Sequence, residues 1–190
     1  FSGLQTVSSS PASIPARQAF LGEASSLVAR FQTLDNRLSE IRKQVDQQLL
    51  DVTTQIDSLA AQVAKLNDGI IVATGTGRGQ LPNDLLDRRD QLVTELSSYV
   101  TTTVVKQSDG AYNLFIGNGQ NLVIGNQANK LSLEPTDENP ERLAINFVAS
   151  YGSVAVPDSL LSGGKLVGLL DYRTNNLDDA QDALGRVAMA

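Results

Sequence analysis

The stretch from Pro15 to Asp68 constrains this chain more than any other. Its apolar or small residues fall at Phe20, Ala24, Leu27, Phe31, Leu34, Leu38, Ile41, Val45, Leu49, Val52, Ile56, Leu59, Val63 and Leu66. The steps alternate between four and three, which is the a/d spacing of a heptad seam. One exception, Ile41 to Val45 to Leu49, runs four then four. A stutter of that kind locally unwinds a left-handed supercoil. Beyond the opening Pro15, only Gly22 interrupts the stretch with a helix-weakening residue. The spacing predicts one continuous helix, roughly 80 Å long at 1.5 Å per residue. Ordinary globular helices are far shorter. Its apolar stripe is narrow, so such a helix is not stable alone. It needs partner helices along its length, from this chain or from neighbours.

The flanks mark where the helix starts and stops. Residues 1–14 hold a short apolar turn (Phe1, Leu4, Val7) and a Ser-rich run ending in Pro11. Ser13 suits the N-cap and Pro15 the first helical turn. Asn67, Asp68 and Gly69 read as a C-terminal stop. Along the polar side, Arg37, Glu40 and Lys43, and Arg42 with Asp46, stand three or four apart and read as a solvated face. The Gly-rich run that follows, Gly75 to Gly79, lacks the Lys-Ser/Thr ending of a phosphate loop and reads as a reversal between helices.

A second helix is expected from Asn83 or Asp84 to about Val100. Leu85, Leu92, Leu96 and Tyr99 form its stripe, widened by Leu86, Val93 and Val100. Asp84 and Asp87 favour its first turn through the helix dipole. The short connection implies an antiparallel return, with Leu85, Leu92 and Leu96 packed on Leu59, Val63 and Leu66.

From Thr101 the period changes to two. TTTVVKQ, then Tyr112 to Ile116, Leu122 to Ile124, Leu131 to Glu134 and Leu143 to Ala149 read as short strands. Ser108-Asp109-Gly110 and Gly117-Asn118-Gly119 supply hairpin turns. Pro135 and Pro140 bound an acidic loop, and Gly152 and Pro157 close the β unit. Ser162-Gly163-Gly164 then opens a third helix through Leu166, Leu169, Leu170, Arg173, Leu177, Ala180, Leu184 and Val187. The fold class expected is therefore α+β: a long-helix antiparallel bundle built from both chain ends, with a small antiparallel β insert. Its division is a helical bundle over 1–100 and 161–190, and a β subdomain over 101–160.

The 190 residues suffice for one or two domains with a core. With 15 basic and 21 acidic residues the net charge is -6, which argues against a nucleic-acid partner. No apolar run approaches the length needed to span a membrane. Position 1 is Phe, no signal-peptide pattern opens the chain, and the last helix stops while still periodic. These features lead us to expect a segment of a longer protein.

Functional chemistry is sparse. Cys and His are both absent, which removes thiol nucleophiles, disulfides, imidazole proton shuttles and the commonest zinc ligands. Asp87 with Asp90, and Asp178 with Asp182, are paired carboxylates on helical faces with no sign of a buried, split-pKa pair. Asp178, Asp179 and Asp182 lack the calcium-loop pattern. No G-x-S-x-G elbow or S-x-x-K box occurs. The expectation is no enzyme: no catalytic, cofactor-binding or metal residues, and no cofactor.

Three segments carry a family likeness. LPNDLLDRRDQLVTELS (Leu81 to Ser97), with the strand region DGAYNLFIGNGQNLVIG, resembles the flagellar hook-associated protein 1 family of hook–filament junction proteins. GGKLVGLLDYRTNNLDDAQDALGRVA (Gly163 to Ala188) is similar to the same family's return into its C-terminal helical region. FSGLQTVSSSPASIPARQAFLGEASSLVARF matches its N-terminal helical region in style and order. The resemblance implies a non-enzymatic structural subunit of the bacterial flagellum, exported through the flagellar type III pathway. It implies self-association in a ring at the hook tip. The implied partners are the hook protein, the next hook-associated junction protein and an export chaperone. It also implies terminal heptad segments before Phe1 and after Ala190, and an outer variable domain. Two other readings fit parts of the pattern. A periplasmic efflux adaptor joins a helical hairpin to a β unit, but its two arms are similar in length. A flagellin-type filament subunit shares the lack of Cys and the helical ends, but its motifs differ from the Leu81–Ser97 run.

Overall fold

The computed structural model describes residues 2–75, 82–136, 142–149 and 152–189. Within these the chain is α+β, a long helix with small antiparallel sheets. A short helix α1 (Ser2–Ser9) precedes α2 (Ile14–Gly75), which runs unbroken for 62 residues. The start of α2 follows the expected chemistry. The Ala16 N–H donates to the Ser13 hydroxyl at 3.4 Å, and Arg17 Nε reaches back to the Pro11 carbonyl at 2.7 Å.

The end of α2 does not. The helix passes through Asn67, Asp68 and Gly69 and continues to Gly75. Local stop signals lose here because Asn67 is fully buried and its amide is satisfied by tertiary partners rather than by a turn. The run Gly75 to Gly79, expected as a reversal, lies mostly outside the described residues.

Helix α3 (Asn83–Tyr99) occupies the expected span. A β-carbon placed on Gly69 would touch the Leu85 side chain, while Arg89, one turn later, bonds Asn67. As α3 advances its contacts move backward along α2, so the two run antiparallel as expected. Leu59, Val63 and Leu96 are buried, whereas Leu66, Leu85 and Leu92 are half-buried.

The strands form two antiparallel sheets. The first is the meander β1 (Thr102–Lys106), β2 (Tyr112–Ile116), β3 (Gln120–Ile124) and β4 (Gln127–Ala128). The second is β5 (Lys130–Pro135), β6 (Leu143–Ala149) and β7 (Gly152–Ala155). Strand β4 and strand β7 were not expected from the sequence. The register of β2 on β3 shifts between Leu114 and Phe115, where Leu114 faces Val123 but Phe115 faces Asn121. This bulge lets the consecutive residues Leu122 and Val123 both be buried.

After the turn Asp158–Leu160 the chain enters α4 (Gly164–Tyr172), one π-helical turn (Arg173–Asp178) and α5 (Asp179–Met189). Gly164 has φ +72°, and a β-carbon there would collide with the Tyr99 carbonyl and the Val100 nitrogen. Only glycine fits both the backbone angle and the space.

The chain divides into two compact units: residues 1–44 with 174–190, and residues 45–173. The cut inside α2, between Gln44 and Val45, falls within the stutter read from the sequence. The larger unit holds the main core. In it α2 buries Val45, Leu49, Val52, Ile56, Leu59, Val63 and Ile70, and the first sheet buries Leu114, Ile116, Leu122 and Val123.

Candidate functional site

The larger unit is held by polar clamps at its helix–sheet contacts. Asn67 Nδ2 donates to the Tyr112 carbonyl at 2.8 Å and to the Gly125 carbonyl at 2.6 Å. Its Oδ1 accepts from the Tyr112 N–H at 3.0 Å and from Arg89 at 3.3 Å. Arg89 also donates to the Gly110 carbonyl at 2.6 Å, and its guanidinium lies 3.3 Å from the centre of the Tyr112 ring. Stacking of this kind adds electrostatic attraction to the packing. One buried amide and one buried guanidinium thus hold α2, α3 and the β1–β2 turn together.

Two further clamps hold the second sheet. The half-buried Asp57 carboxylate of α2 accepts from the Leu131 N–H on β5 at 2.9 Å. Burial pushes its carboxyl up to about 6, against the lowering pull of that N–H and of the Lys130 charge. Arg173, 1% exposed, donates to the Leu143 carbonyl at 2.5 Å and to Asp158 at 3.0 Å. These are structural ties.

The smaller unit is different. Here α2 and α5 are tied at Arg42, which bonds Asp178 at 2.6 Å and also donates to Gln181. Arg42 is therefore not on a solvated face, as expected, but mostly buried in an ion pair. Beside this tie lies an open apolar groove of about 530 Å³, lined by Phe31, Leu34, Leu38 and Ile41 from α2 and by Ala180, Ala183, Leu184 and Val187 from α5. Leu27, Val28 and Leu34 on α2, and Val187 on α5, are more than half exposed. An uncovered face of this size on a helix pair is a mark of an interaction surface. Of the carboxylates paired in the sequence, Asp87, Asp90 and Asp182 are exposed, while Asp178 is engaged by Arg42. Among the described residues no three His, Cys, Asp or Glu side chains gather as a metal site, and no helix is long and apolar enough to cross a membrane.

Comparison with known proteins decides what kind of helix pair this is. The family model described as flagellar hook-associated protein FlgK helical domain matches residues 1–190. The chain belongs to this family. It is 42% identical to flagellar hook-associated protein 1 of Salmonella typhimurium over 191 residues, which cover all of this chain and 34% of the relative. Identity to the protein of the same name from Escherichia coli is 40%, again over the whole chain and 35% of the relative. The Bacillus subtilis protein is 26% identical over 90% of the chain and 36% of its own length. Among solved structures, that of the flagellar hook junction protein FlgK from Burkholderia pseudomallei superposes with a TM-score of 0.86 at 37% identity, covering 97% of this chain and 33% of that one. The chain thus spans about a third of the length of the relatives it matches. Family membership disfavours both the efflux adaptor and the flagellin-type subunit.

Sequence reasoning placed the family and the seam but missed the clamps. Asn67 was read as part of a helix stop, and Arg89 was given no role. The one available signal was negative: Arg89 follows Leu85 by four, on the apolar stripe, where a charged residue demands a buried partner.

Proposed function

We propose that this chain is the helical segment of a structural subunit joining the bacterial flagellar hook to its filament, required for filament assembly. The observation that carries the reading is the end-to-end match to the hook-associated family, and the uncovered heptad face of α2 and α5 supports it. The subunit works without catalytic residues, metal or cofactor. It is exported through the flagellar type III pathway, with a chaperone, and acts outside the cell. It assembles as a ring on the hook protein and receives the next hook-associated protein.

In this reading the helices from both chain ends form one bundle, residues 1–100 with 161–190, and residues 101–160 add a lateral β subdomain. The return of α5 beside α2 supports that arrangement. The exposed seam around Leu27 and Leu34 is covered, in the assembled ring, by helices of neighbouring copies. Burial of such a seam is worth about 25 cal/mol per Å² of apolar area, so a closed ring stabilises helices that one copy leaves bare.

The test is complementation. A strain deleted for the gene keeps its hooks and spills filament subunits into the medium. The full-length protein restores filaments. A full-length Leu34→Asp variant is secreted and folded but does not restore them. Normal filaments on the deletion strain would overturn the proposal.

A further inference from the structure

The three-residue turn between β2 and β3 carries the one Asn-Gly pair of the sequence, Asn118-Gly119. Asparagine is among the chemically labile side chains. Its amide carbon is open to attack by the backbone nitrogen of the next residue, and a glycine there leaves that nitrogen unshielded. The rate of attack is set by what restrains the two groups.

Little restrains them here. Gly117, Asn118 and Gly119 are all exposed, and among the described residues the Asn118 side chain makes no hydrogen bond. A β-carbon built on Gly119, at φ +97°, would meet nothing within 4 Å, so the space around the attacking nitrogen is open. The one brake is the Gly119 N–H, which donates to the Ile116 carbonyl at 3.2 Å, the long end of the hydrogen-bond range. Other asparagines of the larger unit are held. The Asn113 side-chain oxygen accepts from the Gly125 N–H at 2.9 Å. Asn129 donates to the Asn121 carbonyl at 2.7 Å, and Asn146 to Glu134 at 2.6 Å. Asn67 is bonded through both its amide atoms. None of these four is followed by glycine.

We propose that Asn118 is a site of spontaneous modification on the folded protein: its side-chain amide is lost as ammonia, and the hairpin tip is left with aspartate or isoaspartate. Hydroxide takes the Gly119 amide proton, and the nitrogen bonds to the Asn118 side-chain carbonyl carbon. The bond from that carbon to Nδ2 breaks, and Nδ2 leaves as ammonia with a proton from water. Water then opens the cyclic imide at either carbonyl. Nothing is oxidised or reduced; one water is consumed and one ammonia released. Each event adds a negative charge to a chain whose net charge is already -6.

The two products differ in consequence. Aspartate keeps the backbone as it was, whereas isoaspartate routes it through an extra methylene. The turn has no slack on its other side, where a β-carbon on Gly117 would lie 2.9 Å from the Leu160 carbonyl oxygen. The strands it joins are paired at Ile116 and Gln120 and bury Leu114, Ile116, Leu122 and Val123. Isoaspartate therefore loosens this hairpin, and aspartate does not.

Ageing the full-length folded protein in mildly alkaline buffer tests the site. After digestion, the peptide holding Asn118 should gain the amide-to-acid mass at least about tenfold faster than peptides holding Asn113 or Asn129, the factor set by one further hydrogen bond that must break first. The rate should rise with pH, because the attacking nitrogen must lose its proton. Labelling with an isoaspartyl methyltransferase should mark the aged parent but neither an Asn118→Gln nor an Asn118→Asp variant. Conversion at Asn118 no faster than at Asn113, or equal labelling of the Asn118→Gln variant, overturns the site. Hydrogen exchange then reads the consequence. Amides of β2 and β3 should exchange faster in the labelled fraction of aged parent than in Asn118→Asp, and equal exchange refutes the loosening.

Discussion

From Val45 to Ile70 the seam of α2 is almost wholly buried, whereas Leu27 and Leu34, on the same spacing, are 56% and 52% exposed. The residue types are alike in both halves. The difference is what stands opposite: α3 and the first sheet meet the buried half at Asn67 and Gly69 and the second sheet meets it at Asp57, while the short α5 lines only part of the other. Heptad spacing therefore specifies a face to be covered but not the group that covers it. A half that its own chain covers builds a core. A half left bare presents an apolar face to solvent.

Substitutions should separate the two halves sharply. The largest effect is expected at Leu49, fully buried, where Leu49→Ala should cost about 2–5 kcal/mol in denaturant melts. Leu34→Ala should stay within about 0.5 kcal/mol of the parent monomer. Equal costs would mean that the bare half is covered within a single copy. Next comes Asn67→Leu, which leaves the Tyr112 N–H and two carbonyls without their partner. It should cost about 1–3 kcal/mol, read as a lowered denaturation midpoint. In the smaller unit Arg42→Ala breaks a tie whose side chains are 12% and 21% exposed. A loss of about 1 kcal/mol is expected, between the values for exposed and buried pairs.

The smallest effect concerns pH. Asp57 titrates near 6 in the fold against an ordinary 3.8. The folded protein therefore holds this proton more tightly than the unfolded chain. Its contribution to stability is full below pH 3.8 and is lost as pH rises through 6. Partial solvent exposure keeps the amplitude small. Asp57→Asn, which keeps an acceptor for the Leu131 N–H, should flatten this component of a melting-temperature profile between pH 4 and 7. A profile unchanged by the substitution would assign the slope to other carboxylates.

Much of the architecture was legible because it is periodic. The four–three rhythm from Phe20 to Leu66 and the change to period two at Thr101 each report one repeating geometry. The Ser13 cap and the α3 boundaries were legible for the same local reason. What escaped the sequence is long-range. Asn67 looks like a stop until the Tyr112 backbone, 45 positions away, is there to occupy its amide. Arg42 looks solvated until Asp178 arrives from the far end of the chain. Strand β4 is only two residues long and carries no pattern of its own. The uncovered groove was legible only as a need for partner helices. Which residues of α2 stay bare depends on where α5 lies, and no spacing rule contains that.

The contact at Gly164 has an unusual corollary for sequence variation. The group it abuts is the carbonyl of Tyr99, which every amino acid possesses, so replacing Tyr99 leaves the obstacle in place. Constraint there falls on one partner alone. A library randomised at both positions and screened for folded protein should retain many residues at 99 and a single one at 164.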